Sequence, residues 1–145
     1  MNCNQFVSLA CTAGLALWHA SSVAAEPGSS PPAAIVKQLF DSDQTGVPGK
    51  ELLMLTVEYV AGGASLPHRH DAQVFVYVLE GEVKMQVAGG PVLTLHPGQT
   101  FYESPSDVHS VSANASKTKP AKILVFIVKD KGAPVTREVE PTATP

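Results

Sequence analysis

Between residues 51 and 130 the sequence is built from short β-prone runs, each closed by turn residues. The runs are ELLMLTVEYVAGG (51–63), VFVYVLEGEVKMQVAGG (74–90), PVLTLHPG (91–98), TFYESPSDVH (100–109) and AKILVFIVKD (121–130). They are rich in Val, Leu, Thr and aromatic residues, which suit a pleated, half-buried surface. Gly62-Gly63, Gly81, Gly89-Gly90, Pro97-Gly98 and Ser104-Pro105 supply the backbone angles of tight turns. Many short strands without helices between them predict an all-β, antiparallel sandwich or barrel. AAIVKQLF (33–40) is the one stretch with helical potential, and it is short enough to be an irregular N-terminal strand instead. The continuous apolar run KILVFIVK predicts a strand covered on both faces. EVKMQV alternates, so Val83, Met85 and Val87 should face inward while Glu82, Lys84 and Gln86 face water.

The ends of the chain read differently. FVSLACTAGLALW has the length of a signal-peptide core, and SVAAEP places Val23 and Ala25 where a signal peptidase requires small residues. Residues 1–25 are therefore expected to be a cleaved signal, giving a secreted or periplasmic protein cut near Ala25-Glu26. MNCNQ carries no Lys or Arg, and a buried N-terminal helix is the other reading. The run is too short to span a bilayer comfortably, and Cys11 follows a poor lipid-attachment sequence, so no stable membrane insertion is expected. Residues 26–33 and 132–145, rich in Pro and in small or polar residues, predict flexible segments flanking a single folded domain at 34–131.

Cys3 and Cys11 both fall in the signal, which excludes disulfide, thiol and zinc-thiolate chemistry from the mature chain. A formal net charge of −3 argues against a nucleic-acid partner, which calls for a basic patch.

PHRHDAQ (67–73) carries the chemistry. On a strand, His68 and His70 share a face while Arg69 turns away, so two imidazoles stand side by side as half of a metal site. Such a pair is also common on a solvent-facing or core strand. His109, in SDVHSVS, lies beyond a Gly-led strand and a Pro turn, where an antiparallel fold can return it beside the pair. His96, in the LHPG turn, reads as a surface residue.

With these residues the sequence resembles the cupin superfamily, small double-stranded β-helix or jelly-roll barrels. The family's first motif is a Gly, five residues, His-x-His, three or four residues, Glu, six residues, Gly. Gly62, His68, His70 and Gly81 match it. The second motif runs from a Gly to a His eleven residues on and then an Asn; Gly98 and His109 match, with Asn114 one position late. Two departures stand out. The glutamate position holds Val74, and the second turn reads Ser104-Pro105-Ser106-Asp107. Gln73, next to Val74, reaches a metal only through a bulge or a shifted register, and otherwise belongs to the surface.

The resemblance implies a divalent metal held by His68, His70 and His109, with Gln73 as a weak additional candidate. Iron comes first, with zinc, manganese, nickel and copper also compatible with imidazole ligands. Three neutral ligands leave the ion its full charge, which favours a small anionic, chelating ligand or substrate. Tyr102 and Glu103 lie on the strand leading toward His109, and alternation turns one of them inward. Glu103 is a candidate general base or a partner that orients a ligating histidine; the other reading has Glu103 in solvent and Phe101 inside. Tyr59 and Tyr77 read as core residues, and Asn114-Ala115-Ser116 as a surface turn matching the N-glycosylation pattern.

The functional expectation is a metal-dependent oxygenase. A non-catalytic ligand- or metal-binding module and a metal-dependent isomerase or lyase are the alternatives. Sheet edges of such barrels also allow a homodimer.

Overall fold

The computed structural model describes residues 33–43 and 46–139. The expected signal segment, both cysteines and Trp18 lie outside the described residues. Eleven strands make up the described secondary structure: β1 (Ala34–Ser42), β2 (Lys50–Tyr59), β3 (Ala64–Ser65), β4 (His68–Arg69), β5 (Gln73–Glu80), β6 (Val83–Val87), β7 (Leu93–Leu95), β8 (Thr100–Glu103), β9 (His109–Asn114), β10 (Ala121–Asp130) and β11 (Arg137–Glu138). AAIVKQLF resolves as strand, paired along its length with β2. Among the described residues no helix is long and apolar enough to cross a membrane.

Two antiparallel sheets form, one ordered β1-β2-β10-β5-β8 and the other β11-β4-β9-β6-β7, with β3 also paired to β9. The non-sequential order is that of a jelly roll, in which strands distant in sequence become neighbours. Alternation then builds the core: Leu53, Leu55, Val57 and Tyr59 of β2, Val74, Val76 and Val78 of β5, Val83 and Met85 of β6, and Ile123, Val125 and Ile127 of β10 are all buried. The predicted wet face of β6 is present, with Lys84 exposed between buried Val83 and Met85.

Three expectations are corrected. KILVFIVK is not covered on both sides, since Phe126 is 36% exposed on the outer face of its sheet. There it belongs to a cross-strand row of Phe40, Met54, Phe126, Phe75 and Tyr102. A continuous apolar run reports hydrophobicity and not which side is covered. Tyr77 shares this outer face and is exposed, unlike the buried Tyr59.

Asn114 is buried, not part of a surface turn; it ends β9 and its side chain holds three segments together. The chain beyond β10 also takes part in the fold. Lys129, buried at the end of β10, pairs with Glu51 and donates to the carbonyl of Ala133 at 2.7 Å, reversing the chain. Residues 135–139 then run back to pair β11 with β4.

Gly81 closes the β5–β6 hairpin with φ +71°, and a Cβ there would lie 2.6 Å from the Pro120 carbonyl oxygen and 2.9 Å from Ala121 Cα. Both obstacles are backbone. Gly81→Ala is expected to cost about 2–3 kcal/mol, from the left-handed conformation and the overlap together. Urea unfolding would read it as a lowered midpoint with an unchanged slope.

Candidate metal centre

β4 is two residues long, and its alternation puts His68 and His70 toward the interior with Arg69 exposed, as the spacing predicts. Asp71 follows in the left-handed region at φ 49°, a conformation an aspartate tolerates better than most residues. It turns the chain so that buried Ala72 and Val74 enter β5, and its carboxylate pairs with Arg69 and with Arg137 of β11.

His109 opens β9 directly opposite His68. Its inward aim depends on an irregularity: the β6–β9 register shifts between Gln86 and Val87, and Ser110 is the unmatched residue. Without that bulge the parity set by buried Ser112 and Asn114 would turn position 109 outward.

The three histidines offer ligand atoms that all lie within 4.8 Å of one another. The His68 ring is 4.9 Å from His70 and 5.1 Å from His109 between centroids. Backbone sets the orientation of two of the rings. His68 Nδ1 lies 2.7 Å from the Leu66 carbonyl oxygen and His70 Nδ1 2.6 Å from that of Val135. A carbonyl only accepts, so Nδ1 carries the proton in both rings and Nε2 is left with its lone pair, the form that binds a metal. Burial pushes the His68 imidazole below its ordinary pKa despite the raising effect of the Leu66 carbonyl, and so favours the same neutral form.

His109 is 3% exposed, stacks on Phe101 at 5.7 Å, and has no hydrogen-bond partner at either ring nitrogen. Buried polar atoms are nearly always satisfied. A buried imidazole with an unmatched Nε2, beside two rings whose Nε2 atoms keep their lone pairs, is the pattern expected where an ion completes the set, and the residues present fit a divalent metal.

Glu103 is delivered to the same place. Residues 101 and 103 of β8 share a face, so Phe101 packs inward and Glu103 is also buried, at 2% exposure. Its Oε1 is 3.0 Å from His109 Nδ1 and its Oε2 3.9 Å from His70 Nε2. Tyr102 turns the other way, 49% exposed against Phe75, so it is not in the centre. Gln73 is likewise excluded: β5 keeps a regular alternation there, with Gln73 exposed on the outer face and Val74 inside. His96 is exposed and faces Glu82 at 3.2 Å.

The centre opens on a cavity of about 290 Å³. Val57, Val76, Ile123, Val125 and Ile127 form its apolar walls. Tyr59, whose hydroxyl is 2.6 Å from Ser112 Oγ and 3.2 Å from Ser65 Oγ, adds a hydroxyl cluster. Val135, Thr136 and Glu138 of the returning tail line it too. Those tail residues have no signature in the sequence, since a carbonyl that holds a ring can come from any residue. The Tyr59 cluster was equally hidden, because serines at 65 and 112 announce nothing until β3 and β9 pair.

A family model described as "Cupin domain" matches residues 55–127, half of the chain. The chain is a cupin. Solved structures agree on the fold of this cupin. A Klebsiella pneumoniae protein with a double-stranded β-helix domain superposes with a TM-score of 0.60 at 20% identity, over 79% of this chain and 90% of its own. A recombinant oxalate oxidase in complex with glycolate gives 0.57 at 23% identity, over 76% and 57%. The DMSP lyase DddQ from Ruegeria pomeroyi gives 0.55 at 22% identity, over 64% and 45%. The chain thus spans about half the length of these two enzyme structures. No curated protein sequence matches it significantly.

Proposed function

We propose that this cupin is a metal-dependent oxygenase that binds a small anionic substrate at the His68, His70 and His109 centre, with iron as the resident ion. The observation that carries the reading is the convergence of three histidines on a cavity, two of them oriented by backbone carbonyls and the third buried. A divalent redox metal there supplies the oxygen chemistry. The protein's own contribution is to fix the rings, to leave coordination positions open toward the cavity, and to exclude bulk water with Val57, Val76, Val125 and Ile127. The Tyr59 cluster presents a hydroxyl that can bond a polar group of a ligand at a distance from the ion. A cavity of about 290 Å³ is at the small end of ligand pockets, which favours substrates the size of short carboxylic acids, and the likeness to an oxalate oxidase holding glycolate supports the same class. The likeness to a DMSP lyase favours the alternative of a lyase using the same histidines around a Lewis acid.

The test is elemental analysis of the purified protein beside a His68→Ala/His70→Ala variant, followed by oxygen uptake with a panel of small hydroxy-, keto- and dicarboxylates. Near-stoichiometric iron, absent from the variant, and substrate-dependent oxygen uptake are expected. Zinc in place of iron with no uptake would move the reading to the lyase. Metal binding with neither uptake nor turnover of the panel would leave a binding module.

A further inference from the structure

Resting on the metal-centre reading above, we propose that Glu103 of β8 is a fourth protein ligand to that centre. Val74 occupies the glutamate position of the family pattern, is fully buried and lines the cavity. In the β5–β8 ladder its direct partner is Glu103. Directly opposed residues project to the same face with Cβ atoms about 5 Å apart, so a glutamate on either strand sweeps nearly the same volume.

The contact with His109 supports ligation over simple hydrogen bonding. Glu103 Oε1 and His109 Nδ1 are 3.0 Å apart, yet the ring nitrogen makes no hydrogen bond. Two donor atoms each about 2.1 Å from one ion and at right angles to each other lie about 3.0 Å apart, side by side and not aimed at one another. Oε2 lies 3.9 Å from His70 Nε2, so the carboxylate faces two of the three rings. Among the described residues the ion-pair partners of Glu103 are these two histidines, so no arginine or lysine compensates a carboxylate that is 2% exposed. Burying such a group without a cation is unfavourable, and a divalent ion at the centre removes the penalty.

The experiment is calorimetric titration of the stripped full-length protein with cobalt(II), with the visible ligand-field bands recorded at saturation. Glu103→Gln keeps the size of the side chain and an oxygen that can accept from His109, so a merely orienting role survives it. A ligand role does not: affinity is expected to fall by more than the roughly 100-fold that bounds the loss of an orienting partner, with altered bands. The Val74→Glu/Glu103→Val double variant places the carboxylate on β5 and is expected to recover affinity to within about tenfold of the wild type. Should the exchanged pair not fold, the isosteric Glu103→Gln decides alone, its fold checked by circular dichroism. Unchanged affinity and bands in Glu103→Gln, with the ion lost in His68→Ala/His70→Ala, would overturn the proposal and leave the three-histidine centre standing. Failure of the wild type to bind cobalt, iron, manganese or zinc would overturn both.

Discussion

Ending the chain after Ala133 is expected to weaken metal binding by about 10–100-fold while leaving the strands of both sheets other than β11 folded. The cut keeps the Ala133 carbonyl that receives Lys129 and removes Val135, whose carbonyl holds His70 Nδ1. Without it the His70 ring is free to rotate and to exchange tautomers, and loss of such an orienting partner typically costs metal affinity in this range. The cut also removes β11, which covers β4 and ties Arg137 to Asp71 at 2.8 Å. Competition titration against a chelator of known affinity measures the loss, and far-UV circular dichroism checks the fold. Equal affinities of the cut and full-length proteins would show that the tail is a cover and nothing more.

Asn114→Ala is expected to cost about 3 kcal/mol. The Asn114 amide donates to the carbonyls of Val60 at 3.0 Å and Lys119 at 2.7 Å, and its oxygen accepts from the Ser116 amide at 2.9 Å. At 6% exposure water cannot replace these bonds. Each orphaned buried group costs about 1–3 kcal/mol, with losses at one site overlapping. Asn114→Asp, nearly identical in shape, should do no better, because it sets an oxygen against two carbonyl oxygens. Thermal unfolding should show both variants melting lower by on the order of 10–20 °C; a shift of a few degrees would mean that the loop at 115–120 is held by other contacts. The same geometry argues against a glycan at Asn114, since attachment would replace one of the two donating hydrogens and the residue is buried at 6% exposure.

The parts of the site that could be read in the sequence are those with a local period. The His68-x-His70 spacing works because a strand alternates, and His109 follows from a spaced motif. Glu103 was legible as a candidate but not as an inward residue, since parity on a four-residue strand depends on its register with β5, which only pairing sets. Tyr102 was lost for the same reason, and Gln73 because no bulge interrupts the start of β5. The antiparallel fold could be read from composition and turns, whereas the exposure of Phe126 and the return of residues 135–139 depend on which surfaces remain uncovered after the sheets have closed.

The hold of Val135 on His70 imposes an order in time. The two residues are 65 positions apart, and a chain is made from its N-terminus at about 5–20 residues per second. His70 therefore exists for roughly 3–13 seconds before the residue that sets its tautomer has been added to the chain. Until Val135 has been added and packed, the centre lacks one fixed ring. Premature capture of an ion by a half-made chain is disfavoured, and tight loading belongs to the finished protein.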